Sequence, residues 1–224
     1  MFVGHLGVGL ALRRVDEEVS LGVLFAAVLL LDFLLGLFVW AGLEQVIVPA
    51  DYARLHYLRF RFPYSHGLLA SLVWSALAFV VASAWLRGRP RRGVAAAVVA
   101  AAVFSHFVCD VIEHPPQLPL AGPGSVMLGL GLWNHLAAAL GLELALVAIG
   151  LALYLGAAPH VARFKRSTLV AVMAALSILA VAGQAGSPTP PGTASNVVAW
   201  LTLPVVLGGF GFWIDRPVTA GRLG

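Results

Sequence analysis

The sequence predicts an all-α fold, a polytopic bundle of about six transmembrane helices with a short extra helix at the N-terminus. The chain is 60% hydrophobic and 11% charged, whereas soluble domains are roughly 45–50% apolar and about 25% charged. Its mean hydropathy is +0.93, and several apolar runs approach the ~20 residues that a helix needs to cross a bilayer. We therefore expect all 224 residues to form one integral membrane domain in contact with lipid.

The lengths of the apolar runs predict where the membrane spans lie. These spans are residues 19–43, 66–86, 93–113, 134–155, 168–185 and 195–214. The run from Phe2 to Leu12 is too short to cross a bilayer, so it is predicted to be half-inserted or to lie in the interface. Residues 1–114 then bear the candidate site, and residues 127–214 add further transmembrane helices.

Positive charges are distributed unevenly between the two sides that six alternating spans would create. One side receives Arg54, Arg59 and Arg61. The other side receives Arg13, Arg14, Arg87, Arg89, Arg91, Arg92, Arg163, Lys165, Arg166, Arg216 and Arg222. Because short cytoplasmic loops are enriched in Lys and Arg, both termini are predicted to be cytoplasmic. The same placement in short loops argues against a nucleic-acid partner, although the pI is near 9.8.

Ionisable residues inside the predicted spans are the candidate functional groups. His106 and Asp110 are four residues apart, so they lie on one face of a helix, and Glu113 or His114 extends the same stripe. An imidazole and a carboxylate at this spacing can bind one divalent metal ion if other segments supply further ligands. The candidates for those further ligands are Asp32, His66 and His5.

A structural role for these residues is the alternative. Polar side chains in helical membrane proteins form interhelical hydrogen bonds that contribute ~0.6 kcal/mol each on average. Ionisable groups inside a membrane cost about 2.5–3.5 kcal/mol on insertion scales, and they usually line a site or a pathway. For Asp32, His106 and Asp110 together, the sequence therefore favours a functional site.

Glu143 and two loop arginines each have more than one possible role. Glu143, midway along the fourth span, can bind metal, act as a general base or pair with His135, and of these we favour the pairing. Arg59 and Arg61, in the first outer loop, can hold an anionic head group or belong to a solvated interfacial loop.

Four short motifs carry a resemblance to a known family. Gly4-His5, Leu31-Asp32, Tyr64-Ser65-His66-Gly67 and Ser105-His106-Phe-Val-Cys-Asp110 resemble, in order and approximate spacing, the bacterial inner-membrane family of membrane-bound metal-dependent hydrolases. Further strings resemble a less characterised branch of such proteins, so the resemblance covers most of the chain. They are Val111-Ile-Glu-His114-Pro, Gly129-Leu-Gly-Leu-Trp-Asn134 and Phe212-Trp-Ile-Asp215-Arg216. The chain departs from the family where Leu34 and Leu35 replace an acid and a histidine.

The resemblance implies a specific site and activity. It implies a divalent metal ion, with zinc as the expected ion, and a location in the bacterial inner membrane. The implied ligands are His5, Asp32, His66, His106 and Asp110. The implied reaction is attack of a metal-activated water on an ester or phosphoester. Our first hypothesis is therefore hydrolysis of a lipid or lipid-linked substrate, with Glu143 and Glu113 as the candidate general bases and Arg59 and Arg61 as the candidate substrate-binding residues.

Two other functions fit the same residues. Asp32, His106, Asp110 and Glu143 can form a proton or cation relay in a small transporter. Transporters often contain internal repeats, but the second half of this sequence contains no convincing echo of the His-rich first half. The third possibility is a non-catalytic membrane protein that keeps a structural metal or a polar network.

Overall fold

A computed structural model describes residues 1–158, 161–186 and 188–216. Arg222, one of the charges used to predict the orientation, lies outside these ranges. The helices of the described residues are α1 (Val3–Leu12), α2 (Leu21–Val28), α3 (Leu30–Trp40), α4 (Tyr52–Leu55), α5 (Leu68–Trp85), α6 (Arg92–Glu113), α7 (Leu136–Ala157), α8 (Arg163–Gly186) and α9 (Thr193–Asp215). The predicted all-α architecture is confirmed.

Two small hairpins and a short 3₁₀ turn complete the described fold. Strand β1 (Gln45–Ile47) pairs antiparallel with β2 (Arg59–Arg61), and β3 (Leu118–Pro119) pairs antiparallel with β4 (Met127–Leu128). The 3₁₀ turn covers Leu132–Asn134. These elements lie in the segments between the long helices, where the sequence predicted loops.

Five helices, α5 to α9, are long and apolar enough to cross a membrane, and the bent pair α2 and α3 makes a sixth candidate. This number agrees with the predicted spans, and the chain is a multi-pass membrane protein. Their surfaces expose large apolar side chains, such as Val80 and Val81 on α5 and Ile178 on α8. Contiguous exposed apolar surface is characteristic of a face that contacts lipid.

The first predicted span is wrong in one respect, because it is not one continuous helix. The helix axis bends by 47° between α2 and α3, where Leu29 has φ −105° and ψ 6°. Asp32 follows in the first turn of α3, where the partial positive charge of a helix N-terminus favours a carboxylate. Broken helices at membrane depth are tolerated where they are buried in protein or line a cavity.

Helix α1 is enclosed by the bundle and packs mainly against α7, with α2 and α6 on its other sides. A Cβ atom on Gly7 would lie 2.6 Å from the backbone nitrogen of Val147, and one on Gly150 would overlap the backbone of Gly7. The two backbones therefore touch, as small residues allow in membrane helix pairs. Since His5 and Leu6 are fully buried, this enclosure favours the half-inserted placement of α1 over the interfacial one.

The carboxylate of Asp215 joins several helices where α9 ends. It accepts a hydrogen bond from the backbone N–H of Leu21 at 2.6 Å and one from the Tyr154 hydroxyl at 3.2 Å. The guanidinium Nε of Arg13 lies 3.5 Å away. Asp215 thus connects α9 with the N-terminus of α2, with α7 and with the segment after α1.

Candidate metal centre

Four of the predicted ligands converge on one point inside the bundle. Nε2 of His66 lies 3.1 Å from Nε2 of His106, and Oδ2 of Asp110 lies 3.6 and 3.3 Å from these two nitrogens. Oδ1 of Asp32 lies 3.7 and 3.8 Å from the same nitrogens. Ligands bound at 2.0–2.2 Å to a tetrahedral ion are about 3.3–3.6 Å apart, so the spacing suits a single metal ion.

His5 joins this group through contacts with His106 and Asp110. Its ring stacks on that of His106, with centroids 3.7 Å apart, and its Nε2 lies 3.3 Å from Oδ1 of Asp110. Two triads therefore have the geometry of a metal site: His5, His106 and Asp110, and Asp32, His66 and His106. Among the described residues, Nδ1 of His5 has no hydrogen-bond partner, whereas its Nε2 contacts Asp110.

Each ligand comes from a different place in the fold, except for the pair on α6. His106 and Asp110 lie one turn apart on the buried face of α6, as their spacing predicted. Asp32 lies just after the break between α2 and α3, and His66 lies just before α5. The break and the start of α5 thus bring polar groups to α6 within a bundle that is otherwise apolar.

The break also fixes the tautomer of His106. Nδ1 of His106 lies 2.6 Å from the carbonyl oxygen of Val28, the last residue of α2. A carbonyl oxygen only accepts hydrogen bonds, so Nδ1 carries the proton and Nε2 is left with a lone pair. Metal-ligating histidines usually donate their second ring N–H to a carbonyl or a carboxylate in this way.

His66 is held in the same tautomer by a carboxylate that the sequence analysis did not identify. Glu44, in the segment after α3, is buried and accepts hydrogen bonds from the Ser65 hydroxyl at 2.6 Å and from the backbone N–H groups of Tyr64 and Ser65. Because the Ser65 hydroxyl donates to Glu44, its oxygen accepts from Nδ1 of His66, 2.8 Å away. Burial raises the pKa of the Glu44 carboxyl, and its hydrogen bonds with Ser65 and Tyr64 oppose that increase.

The two tautomers leave a pair of lone pairs facing each other. Nε2 of His66 and Nε2 of His106 are 3.1 Å apart, and the carboxylates of Asp32 and Asp110 point to the same place. Lone pairs and anions at this distance require a cation or a shared proton between them. The donor set of two imidazoles and two carboxylates is one that zinc and related divalent ions bind.

The Glu44→Gln variant tests the role of this second carboxylate. The glutamine amide would donate to Ser65, the Ser65 hydroxyl would then donate to Nδ1 of His66, and the proton would move to Nε2. We expect the affinity for Zn²⁺ to fall by about 10- to 100-fold, measured by competition with a chelator. The Asp51→Asn variant removes an exposed carboxylate from the same loop and should leave the affinity unchanged. Equal affinities in both variants would contradict this role for Glu44.

The cluster faces a cavity of about 660 Å³. Asp32, His66 and Asp110 line this cavity, whereas His5 and His106 are fully buried and are not among its described lining residues. The cavity extends from the cluster to Trp133 after β4 and to Trp200 on α9. A ligand in this cavity would therefore contact the cluster through Asp32, His66 and Asp110.

The two candidate general bases differ in position. Glu143 lines the cavity and accepts hydrogen bonds through Oε2 from the backbone N–H groups of Phe2 and Gly4, at 2.9 and 3.2 Å. The favoured pairing of Glu143 with His135 is therefore wrong, because Glu143 binds the first N–H groups of α1, which lack partners within their own helix. Glu113 does not line the cavity in the described residues, and its Oε2 accepts a hydrogen bond from Trp133 at 2.8 Å.

Arg59 and Arg61 lie apart from the cluster. Both are exposed at the two ends of β2, and Phe60 between them lines the cavity. Because successive side chains of a strand point to opposite faces, the arginines face away from the cavity that Phe60 enters. Neither arginine is among the described residues that line the cavity.

His114 is a further member of the cluster. The sequence placed it on the same helix stripe as Asp110 but did not predict it as a metal ligand. It lies four residues after Asp110, and its Nε2 lies 3.6 Å from Oδ2 of Asp110. Its Nδ1 lies 2.5 Å from the side-chain nitrogen of Gln117. The i, i+4 spacing was visible in the sequence. Glu44, by contrast, lies 21 positions from Ser65 along the chain and had no such signal.

Comparison with known proteins adds no family assignment. No protein-family model, no curated protein and no solved structure matches this chain. The geometry of the His/Asp cluster and its cavity therefore carries the functional argument.

Proposed function

We propose that the protein is a membrane-embedded metal-dependent hydrolase that acts on a lipid or lipid-linked ester or phosphoester. The observation that carries this proposal is the convergence of His66, His106, Asp32 and Asp110 at 3.1–3.8 Å. Side chains from α3, α6 and the start of α5 meet there beside a cavity. A polar network used only for packing would not need an adjacent cavity of substrate size.

The residues of the cluster have separate proposed roles. His66, His106, Asp32 and Asp110 would hold a divalent ion, with zinc as the expected one, and His5 would orient Asp110 through its second oxygen. The chemistry that such an ion supplies is polarisation of a carbonyl or phosphoryl oxygen and acidification of water. Glu44 and the Val28 carbonyl keep the Nε2 lone pairs of the two histidines directed at the ion.

Glu143 is the proposed general base. It lines the same cavity as Asp32 and Asp110, so its carboxylate faces the space where a substrate would lie. The two backbone hydrogen bonds from Phe2 and Gly4 both reach Oε2 and fix the direction of the carboxyl group. A positioned general base contributes about 10²- to 10⁴-fold to a rate.

The proposed setting is the bacterial inner membrane, with Arg13, Arg14 and the basic loops before α6 and α8 on the cytoplasmic side. The Met1 amino group lies inside the bundle beside Asp110 and Glu113, so a cytoplasmic position remains a prediction for the C-terminus alone. The support is the charge asymmetry of the loops together with the five to six apolar helices. In this orientation the segment with Glu44 and the two hairpins lie on the outer side, so the cavity would open toward the outer leaflet.

A proton or cation pathway has less support. A pathway needs polar groups that continue across the bundle. On α1, the buried side chains that follow His5 include Leu6 and Leu10, both fully buried. The polar cluster therefore ends at apolar residues on the α1 side. This is expected for an enclosed substrate site and not for a pathway that crosses the bundle.

The proposal is tested with purified, zinc-loaded protein and p-nitrophenyl laurate and bis(p-nitrophenyl) phosphate as probes. We expect turnover of one probe that is lost on chelation, restored by Zn²⁺, and reduced at least about 100-fold in Glu143→Gln. The Glu17→Gln variant, which alters an exposed carboxylate, should retain full turnover. Turnover that survives chelation, or bound zinc without turnover of either probe, would overturn the proposal.

A further inference from the structure

The cavity in front of the cluster has an aromatic wall. Tyr57, Phe60, Phe62, Trp133 and Trp200 all line it. The ring centroids of Tyr57 and Trp133 are 5.4 Å apart, and those of Phe60 and Trp200 are 6.0 Å apart. Rings from the first loop, from the segment before α7 and from α9 therefore form one continuous surface.

The charged groups along the cavity are mainly acidic. The carboxylates of Asp32, Asp110 and Glu143 line it, and within the described residues no Lys or Arg side chain does. The Met1 amino group at the wall is already paired with Asp110 and Glu113, at 3.4 and 3.5 Å. A zinc ion held by Asp32 and Asp110 would balance those two carboxylates and leave Glu143 as the acidic group of the lining. Phosphate sites normally use Arg or Lys donors, and beyond such an ion the described lining offers a free anionic head group none.

Helix α8 contributes a mainly apolar part of the cavity lining. Leu179, Ala180, Gly183 and Gln184 line it. Leu179 is also 67% exposed on the outer surface of the bundle, where the apolar faces of the long helices would contact lipid. Leu179 therefore offers a hydrocarbon chain an apolar contact both in the cavity lining and on the exposed surface of α8.

We propose that this cavity binds an amphiphile whose head group carries no net negative charge, with an ammonium group against the aromatic wall and the hydrocarbon chain directed past α8. Aromatic faces combined with carboxylates are the recognition chemistry of ammonium groups. The assignment of this amphiphile as a substrate rests on the proposed hydrolase function. It narrows the substrate class to neutral, cationic or zwitterionic esters.

Binding of short, water-soluble probes tests this selectivity on the zinc-loaded protein. Isothermal calorimetry would compare hexyltrimethylammonium, hexanol and hexyl phosphate, which share one chain and differ in head-group charge. We expect the ammonium probe to bind about tenfold more tightly than hexyl phosphate. Equal or tighter binding of hexyl phosphate would overturn the inference.

Matched variants show whether the aromatic wall is responsible. We expect Trp200→Leu to weaken binding of hexyltrimethylammonium by about fivefold and to leave hexanol binding nearly unchanged, whereas Trp200→Phe keeps a ring and most of the affinity. Trp85→Leu changes an exposed tryptophan remote from the cavity lining and serves as the control. The same loss in Trp85→Leu, or no loss in Trp200→Leu, would overturn the inference.

The outcomes separate this inference from the hydrolase proposal. A protein that prefers the ammonium probe but hydrolyses neither p-nitrophenyl probe would keep the cavity assignment and overturn the hydrolase function. A protein with zinc-dependent turnover that prefers hexyl phosphate would keep the hydrolase function and overturn the cavity assignment.

Discussion

Replacing His106 with alanine is expected to reduce bound zinc from about one ion per chain to a trace and to lower the affinity for Zn²⁺ by more than about 100-fold. His106 belongs to both triads that have the geometry of a metal site. Its Nε2 is within 3.8 Å of His66, Asp32 and Asp110. Removing it therefore takes away the donor that the two triads share, and the remaining carboxylates repel each other.

The control for this experiment is His135→Ala, which removes an exposed histidine just before α7. Metal content would be measured by mass spectrometry of the elements after reconstitution with Zn²⁺ and desalting. The account expects His135→Ala to bind zinc like the natural sequence. Normal zinc binding by His106→Ala would show that the ion is held elsewhere.

Replacing Gly150 with leucine is expected to lower the free energy of unfolding by about 3 kcal/mol or more. A Cβ atom at this position would overlap the backbone of Gly7, so α1 and α7 would have to separate. Backbone atoms of two packed helices have no flexible side chain that can move aside. The same separation would withdraw His5 from Asp110, so zinc affinity should fall together with stability.

Gly156→Leu is the matched control for this variant, because it changes another glycine of α7 with open space around it. Thermal unfolding in detergent micelles, with and without zinc, measures both effects. A Gly150→Leu protein that unfolds at the same temperature as Gly156→Leu would contradict the close contact between α1 and α7.

The sequence predicted much of the fold because membrane spans are set by the length of apolar runs. The start of α6 near residue 93 and its end at Glu113 follow from the apolar run between Arg92 and Pro115. The bend at Leu29 was not predictable in the same way. Kinks usually have a Pro or Gly in the sequence, and this one lies within a run of leucines that reads as continuous helix.

The candidate site was predictable to the extent that its residues are costly inside a membrane. Asp32, His106 and Asp110 stood out as ionisable groups within apolar runs, and the structure brings them together. Glu44 did not stand out, because a carboxylate in a loop is ordinary in sequence. Its burial and its hydrogen bond to Ser65 depend on how the loop folds back over the start of α5.

Arg59 and Arg61 were predicted to bind substrate, but they lie outside the cavity lining. Their charge suggested contact with an anionic head group. The alternation of side chains in β2, however, turns Phe60 toward the cavity and both arginines away from it. Phe60 takes the inward position, and that strand of three residues was not predicted. The charge of a loop therefore does not identify the ligand of a nearby site until the backbone of the loop shows which side chains reach that site.

The central claim is that His66, His106, Asp32 and Asp110 bind one divalent metal ion. Zinc K-edge X-ray absorption spectroscopy of the zinc-reconstituted chain tests it most directly. We expect about one zinc ion per chain with two imidazole nitrogens and carboxylate oxygens at about 2.0–2.2 Å. A protein that binds no zinc, or zinc whose spectrum lacks the imidazole contribution, would contradict it.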